Sequence, residues 1–375
     1  YANRIRSNEP FEDEVVRYQD ELNRVLREGN QVEIPDIFMV DARWVGDYER
    51  FARTSTTYST TEFTEAFYGA VSTNFVKNNQ VYGAPLWIDN YAVIYNRDML
   101  SSESLNTPPT IWSEFKTAAQ RLTRRTGNNM TRAGFAAGTS SNVSFSSDTL
   151  MILMLQNGVN LSNQSGVPTF SQNSDSLSAL QFYKSFLTDN SAPTWSTNIA
   201  ANDSSAFLDG EVAMIIAPSY RLREILRFNE NNNLGLDIGV APLPKIDSAD
   251  EDLNFANYWG NMVALNRPNG DESWRLLEWI TQPDQLRKIN DGVKEYYSYF
   301  GIIYPRADME EDLAGDEYLR VFNNSARNTR SWYMVKGLEI KDIFDEMINA
   351  NSASQNIIER AESDIIEAQS TQGVL

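Results

Sequence analysis

The stretch that decides the fold is Tyr82-Gly83-Ala84-Pro85-Leu86-Trp87-Ile88-Asp89-Asn90-Tyr91-Ala92-Val93-Ile94-Tyr95-Asn96-Arg97-Asp98-Met99-Leu100. Two short apolar runs, Val81–Trp87 and Tyr91–Tyr95, are rich in the β-branched and aromatic residues that favour strands. Only Ile88-Asp89-Asn90 separates them. The pattern therefore predicts two buried strands joined by an unusual polar break.

Helical and strand patterns alternate on both sides of this stretch. Apolar spacing at positions 15, 18, 22, 25 and 26, followed by Gly29, predicts an amphipathic helix, and residues 35–40 read as a buried strand. Further helices are predicted over 114–122, 148–155 and 176–187, strands over 211–217 and 235–242, and two helices over 340–368. Such alternation is typical of α/β layers.

Composition excludes several classes of function. The 375 residues contain no Cys and no His, which removes thiol nucleophiles, disulfides, thiolate zinc sites and the usual general base. Carboxylate, Lys, Tyr and Ser chemistry stays open. The net charge of −19 disfavours nucleic acid and anionic membrane surfaces as partners. No cofactor, metal ion or catalytic residue is predicted, and the polar opening residues lead us to expect a trimmed, soluble chain.

Length predicts roughly two domains of about 150 residues each, and short motifs in a fixed order then point to a family. The motifs cover residues 35–44, 82–100, 206–220, 240–244, 258–265, 272–284 and 331–333. In order and spacing, they resemble the sugar-type extracellular solute-binding proteins of ABC importers, the maltose-binding-protein-like family. The resemblance spans nearly the whole chain.

The resemblance implies a two-lobe, periplasmic-binding-protein-like α/β fold, in which each lobe is a mixed sheet flanked by helices and the ligand cleft lies between the lobes. We expect an N-terminal lobe of residues 1–92 and 263–310 and a C-terminal lobe of residues 93–262 and 311–375. The family normally opens with a strand and a helix that have no counterpart before Val15, so an incomplete or cleaved chain is expected. Loss of a central strand would leave backbone groups unpaired unless another segment fills the gap.

The resemblance also carries a set of ligand-binding candidates. Sugars present apolar C–H faces and a rim of hydroxyls, so a site needs aromatic plates together with carboxylates, amides or Arg. The candidates, with Tyr297 as a weaker addition, are Asp41, Arg43, Trp44, Trp87, Asp89, Asn142, Tyr220, Trp259, Asn261, Arg306 and Trp332.

Each candidate also has a purely structural interpretation. Any of the aromatic residues could simply pack in a core. Asp89 could be a surface turn carboxylate, Asn142 could cap the helix that follows it, and Arg306 could pair with Asp308. The triplets at Asn129 and Asn142 match the glycosylation sequon, which occurs often by chance.

The implied function is that of the extracytoplasmic substrate-binding component of an ABC importer, a monomer that binds a mono- or oligosaccharide by hinge closure and meets the importer's membrane subunits. A lipid-anchored precursor is implied as well. A glycosidase remains an alternative because it needs only two carboxylates about 5 to 10 Å apart, although Asp89 has no evident partner of that kind. A structural or adhesive surface protein that reuses the fold is the other alternative.

Overall fold

A computed structural model describes residues 11–29, 33–189, 192–247, 252–297 and 300–370. Its α-helices, labelled α1 to α15 in chain order, are Phe11–Glu28, Val45–Tyr48, Thr60–Ala66, Gly69–Phe75, Arg97–Ser101, Trp112–Leu122, Ser146–Gln156, Asp175–Thr188, Asp203–Leu208, Ser219–Asn231, Gly270–Ile280, Pro283–Tyr296, Leu319–Asn324, Gly337–Asn349 and Gln355–Ser370.

The strands of the described residues are mostly short. Labelled β1 to β13 in chain order, they are Ile37–Asp41, Ala52–Arg53, Val76–Lys77, Gln80–Val81, Gly83–Pro85, Tyr91–Asn96, Arg124–Thr126, Asn129–Phe135, Val212–Pro218, Ile238–Ala241, Asn254–Phe255, Trp259–Ala264 and Thr329–Arg330. The predicted helices are confirmed, as are the strands predicted at residues 35–40, 91–95, 211–217 and 235–242, with ends that move by a few residues. The run Val81–Trp87 does not form a single strand, because Val81 ends β4 and only Gly83–Pro85 form β5.

Local sequence signals explain several of these boundaries. Helix α3 begins with a capping box, in which the Ser59 side chain accepts from the backbone of Glu62 and the Glu62 side chain accepts in return. Helix α12 starts on Pro283, whose missing N–H costs nothing in the first turn. Strands β3 and β4 are joined by Asn78 and Asn79, both at positive φ, as a two-residue hairpin turn requires.

The chain forms two compact units. The first unit contains residues 11–90 and Ala256–Gly337, and the second contains Tyr91–Phe255 and the helices that follow Leu338. The chain therefore changes unit at 90/91, 255/256 and 337/338, where the sequence had suggested 92/93, 262/263 and 310/311.

The third boundary differs most, because residues 311–337 belong to the first unit. The buried amide of Asn90 donates to Phe322 O and Thr329 Oγ1 at 3.0 and 2.9 Å, and Asn74 donates to Trp332 O at 3.2 Å. These long-range bonds tie the segment to the first unit's core, which periodicity along the sequence cannot reveal.

The first unit is built on a four-stranded sheet. Strand β12 lies between β1 on one side and β5 and β2 on the other, and all three pairings are antiparallel. A mixed sheet had been expected in both lobes, and in this unit the described strands do not form one. Strand β12 occupies the position between β1 and β5, so the edges of these strands that face it are paired.

The second unit has a mixed five-stranded sheet in the order β10-β6-β9-β8-β7, with one parallel pairing between β8 and β9. Strands β6 and β9 are buried along their whole length. Helix α7 is buried on nearly every face, which agrees with the apolar run Leu150–Leu155 in its second half. This sheet therefore has a dry core, and polar side chains gather where its strands end.

Candidate functional site

In the first unit, candidate residues meet where β1 ends and β12 begins. Asp41, the last residue of β1, is the register partner of Trp259, the first residue of β12. The buried Asp41 carboxylate accepts from the backbone N, Nε and Nη2 of Arg43 at 2.9, 2.8 and 2.7 Å. The backbone bond caps the short helical turn Ala42–Trp44. One carboxylate thus fixes both the turn and the guanidinium beside it.

An aromatic stack adjoins this ion pair. Trp259 is partly exposed and makes an edge-on contact with the fully buried Trp44, with ring centroids 5.1 Å apart. Tyr18 of α1 makes a similar contact with Trp259 at 5.7 Å and donates its hydroxyl to Met39 O at 2.8 Å. Burial raises the pKa of the Tyr18 phenol. Trp44 thus supports Trp259, and Trp259 retains accessible ring surface.

We call Tyr18, Asp41, Arg43, Trp44 and Trp259 the Trp259 cluster. Three further candidates lie on or just after strands of the same sheet. Asn261 is paired with Ala84 and donates to its carbonyl at 3.2 Å, which uses the amide as a brace. Asp89 is buried and accepts from the backbone N of Asn90 at 2.9 Å, and Trp87 is partly exposed. Trp87 therefore joins Trp259 as a second accessible indole.

Two other candidates serve the interior of the first unit. Arg306 donates to the Asp308 carboxylate at 2.9 and 2.7 Å and lies over the Phe67 ring, and these bonds hold the pKa of Asp308 below its usual value. The pairing raised above as the alternative for Arg306 is confirmed. Trp332 is buried, and its carbonyl is bonded to Asn74. Because both side chains lie in the core, we leave them out of the proposed contacts.

In the second unit, aromatic residues gather where β9 ends and β6 begins. Tyr220, in the first turn of α10, is partly exposed and packs edge-on against Phe145 at 6.3 Å. Phe145 also contacts the buried Tyr91 at 5.7 Å, and the Arg221 guanidinium lies 5.9 Å from its ring centroid. We call Tyr91, Phe145, Tyr220 and Arg221 the Tyr220 cluster. The partly exposed Tyr220 packs against the buried ring of Phe145, as Trp259 packs against the buried ring of Trp44 in the first unit.

Asn142 has another role. Its amide nitrogen donates to Ser196 O and Ala200 O at 3.4 and 3.2 Å, and its Oδ1 accepts from Trp195 Nε1 at 2.8 Å. The helix that follows has Phe145 at its N-cap position, so Asn142 does not cap it. Asn142 is a buried brace for the loop around Trp195, because all of these bonds are made within the protein.

Comparison with known proteins now identifies the chain's relatives. The family model for bacterial extracellular solute-binding proteins matches residues 11–314, most of the chain. The chain belongs to this family.

Among curated relatives, a binding protein of Brucella abortus is 24% identical over 262 residues. That match covers 68% of this solute-binding protein and 61% of the relative. The chain thus spans less than two thirds of the length of the relatives it matches.

Solved structures agree on the fold. A solute-binding protein of an ABC transporter from Thermotoga lettingae, bound with α-D-tagatose, gives a TM-score of 0.73 at 18% identity and covers 94% of this chain and 89% of its own. The maltose-binding periplasmic protein of Listeria monocytogenes, in complex with maltose, gives 0.72 at 14% identity, with the same coverage. The fold is therefore the two-lobe α/β fold of periplasmic binding proteins.

Family membership places the protein outside the cytoplasm, and the family and these relatives are binding proteins. Across the described helices, none has the length and apolar character needed to cross a membrane. In the same residues, no group of three or more acidic side chains is arranged to hold a metal ion.

Two residues that the sequence did not indicate as candidates belong to these clusters. Tyr18, predicted only to lie on the apolar face of α1, packs against Trp259. Phe145, which no sequence pattern indicated, packs against Tyr220. The available signal was an aromatic residue inside a Ser-rich turn, Ser144-Phe145-Ser146, which has no reason to be apolar unless it packs against something.

Proposed function

We propose that this protein is the substrate-binding component of an ABC importer and that it binds a carbohydrate without changing it chemically. One observation carries the proposal. Each unit presents a partly exposed aromatic ring at the end of a strand, packed against a buried ring and beside fixed polar groups: Trp259 with Asp41 and Arg43, and Tyr220 with Arg221. Flat apolar surface next to fixed hydrogen-bonding groups matches the two faces of a sugar ring.

The relatives support the choice of ligand class. Structures similar to this one in fold include proteins solved with α-D-tagatose, maltotetraose and maltose. We propose a mono- or oligosaccharide as ligand, with Trp87, Trp259 and Tyr220 as stacking surfaces and Asp41, Arg43 and Asp89 as the polar contacts nearest to them. Asn261 and Tyr297 remain secondary members of this set.

Calorimetric titration with maltose, maltotetraose, mannobiose and α-D-tagatose, followed by chromatography of the sugars, tests this proposal. We expect saturable binding of at least one sugar and recovery of that sugar intact. Release of a shorter sugar would instead indicate a glycosidase. The absence of binding to a broader glycan panel would favour a structural or adhesive role and overturn the proposal.

The matched control compares Trp259 with a Trp residue of the first unit that lies outside the proposed binding surface. Trp279, on α11, is 55% exposed and lies outside the Trp259 cluster. Replacing Trp279 with Ala should leave the affinity unchanged. Equal losses for Trp279→Ala and Trp259→Ala would point to a general effect on the unit rather than to a binding surface.

We further propose that the two units close on the ligand as a hinge, that the protein is a monomer delivering ligand to the importer's membrane subunits, and that its precursor is lipid-anchored. A ligand that contacts both units favours the closed state by its differential affinity. Small-angle scattering with and without a sugar that binds should show a smaller radius of gyration in its presence. An unchanged radius at saturation would contradict hinge closure.

A further inference from the structure

The turn that carries Phe145 is bonded on both sides to carboxylates, of which Asp203 is buried and Asp345 is partly exposed. On one side, Ser144 donates its hydroxyl to Asp203 Oδ1 at 2.6 Å and its backbone N to Asp203 Oδ2 at 3.2 Å. Asp203 is the first residue of α9 and is almost completely buried. Both oxygens of this carboxylate therefore hold the residue immediately before Phe145.

The residue immediately after Phe145 is also bonded to a carboxylate, through its hydroxyl alone. Ser146 donates its hydroxyl to Asp345 Oδ1 at 2.9 Å, and Asp345 lies on α14, far away in the sequence. Lys341 pairs with the other oxygen of Asp345 at 2.8 Å. Two separate helices thus supply one carboxylate each to the two serines that flank a single aromatic residue.

Removing these carboxylates from water, Asp203 almost completely and Asp345 in part, costs free energy. Burial raises the pKa of both Asp203 and Asp345, because the charged form loses its hydration. Among the residues that the structure describes, no cation contacts Asp203 directly, although the charge of Arg221 acts on it from nearby. An apolar residue of similar size would fill the position of Asp203 at lower cost. The specific gain is a fixed backbone at Ser144 and a fixed side chain at Ser146, on the two sides of Phe145.

Resting on the proposed function, we propose that Asp203 and Asp345 are positioning residues for ligand binding, which act through Phe145 on Tyr220. With both neighbours fixed, the Phe145 ring stays wedged between Tyr91 and Tyr220, with Arg221 above it. Tyr220 then presents its ring in one orientation before a sugar arrives. Preorganisation of this kind strengthens binding because less order has to be created on association.

A first experiment needs no ligand. Hydrogen exchange of the unliganded protein compares wild type with Asp203→Asn and Asp345→Asn, and with the milder variants Ser144→Ala and Ser146→Ala. We expect exchange to accelerate at residues 142–146 and also at residues 219–222, which carry Tyr220. Acceleration confined to residues 142–146 and 203–206 would overturn the proposal, because Asp203 would then only stabilise its own surroundings.

The second experiment separates positioning from a general structural role. For whichever of maltose, maltotetraose, mannobiose or α-D-tagatose binds, Asp203→Asn should weaken affinity about tenfold. In a Tyr220→Ala background, the same substitution should cause no further loss, since its effect passes through Tyr220. Additive losses in the double variant would contradict the proposal.

Arg97→Met is the matched control, since Arg97 forms a surface ion pair with Asp237 in the same unit and is remote from this turn in the sequence. It should change neither the exchange pattern nor the affinity. If no sugar binds to the wild-type protein, the proposed function fails, and the exchange experiment still decides whether the two carboxylates order Tyr220.

Discussion

Each of the two aromatic clusters depends on a buried carboxylate, but the two carboxylates are stabilised by different kinds of partner. In the Trp259 cluster, a buried carboxylate is neutralised by a direct two-pronged bond to Arg43. Next to the Tyr220 cluster, the buried Asp203 is held by hydroxyl and backbone N–H donors, and no cation of the described part of the chain contacts it. Both carboxylates are almost completely buried, so the two differ in their partners rather than in their exposure. The difference implies that the first cluster depends on charge and the second on packing and hydrogen bonds.

The largest expected effect on the free energy of unfolding comes from breaking the Asp41–Arg43 ion pair in the first unit. Arg43→Met removes the two guanidinium bonds to the Asp41 carboxylate. The carboxylate stays buried and keeps only its bond from the backbone N of residue 43. Since Arg43 is itself one-fifth exposed, we expect a loss of about 2 kcal/mol in the free energy of unfolding, below the usual cost for a fully buried pair. Urea unfolding followed by Trp fluorescence measures this loss.

The probe and the control both belong to the first unit. Six of the eight Trp residues lie there: Trp44, Trp87, Trp259, Trp274, Trp279 and Trp332. Arg275→Met removes an exposed ion pair with Glu272 at 3.6 Å and should change the free energy of unfolding by less than about 0.5 kcal/mol. If Arg43→Met were as mild as Arg275→Met, the charge-dependent character of this cluster would be refuted.

The next effect concerns the exposed rings themselves. Trp259→Ala should weaken sugar binding by about 1 to 3 kcal/mol, because an indole stacked on a sugar removes a large apolar area from water. Tyr220→Ala should cost less, since the phenol ring is smaller. Titration of both variants with the same sugar provides the measurement, and normal affinity in both would rule out the proposed stacking surfaces.

Much of the fold, and less of the site, could be predicted from the sequence. Periodicity located the helices and strands because each buries one face or one whole strand, and the paired motifs around Asp89 and Trp259 identified strand ends correctly as polar and aromatic. Whether a polar side chain is available to a ligand depends on partners far away in the chain. Asn142 has the polar character expected of a ligand contact, but its amide is already bonded to Trp195 and Ala200 within the protein. Phe145 was missed for the same reason, because its value lies in contacts with Tyr91 and Tyr220.

The smallest predicted effect concerns acid titration, which should act with opposite sign on an ion-paired carboxylate of the first unit, Asp308, and on the buried Asp203 of the second unit. Asp308, paired with Arg306, has a pKa lowered in the folded state, so the stability it contributes is present above the unfolded pKa and is lost as the pH falls. Asp203 has a pKa raised by burial, so the folded state takes up a proton more readily than the unfolded chain. Its contribution is greatest below the unfolded pKa and declines as the pH rises through the folded pKa.

Comparing unfolding of wild type, Asp308→Asn and Asp203→Asn between pH 3 and pH 7 isolates these contributions, because Asn resembles the neutral acid at either position. Relative to wild type, Asp308→Asn should show its largest loss in the free energy of unfolding at pH 7, and its stability should approach that of wild type near pH 3. Asp203→Asn should show the reverse trend, with its deficit shrinking as the pH rises, because the wild-type carboxylate must then carry a buried charge. Parallel pH profiles for the two variants would mean that the buried Asp203 is as well compensated as Asp308 in its ion pair with Arg306, and the contrast between these two carboxylates would fail.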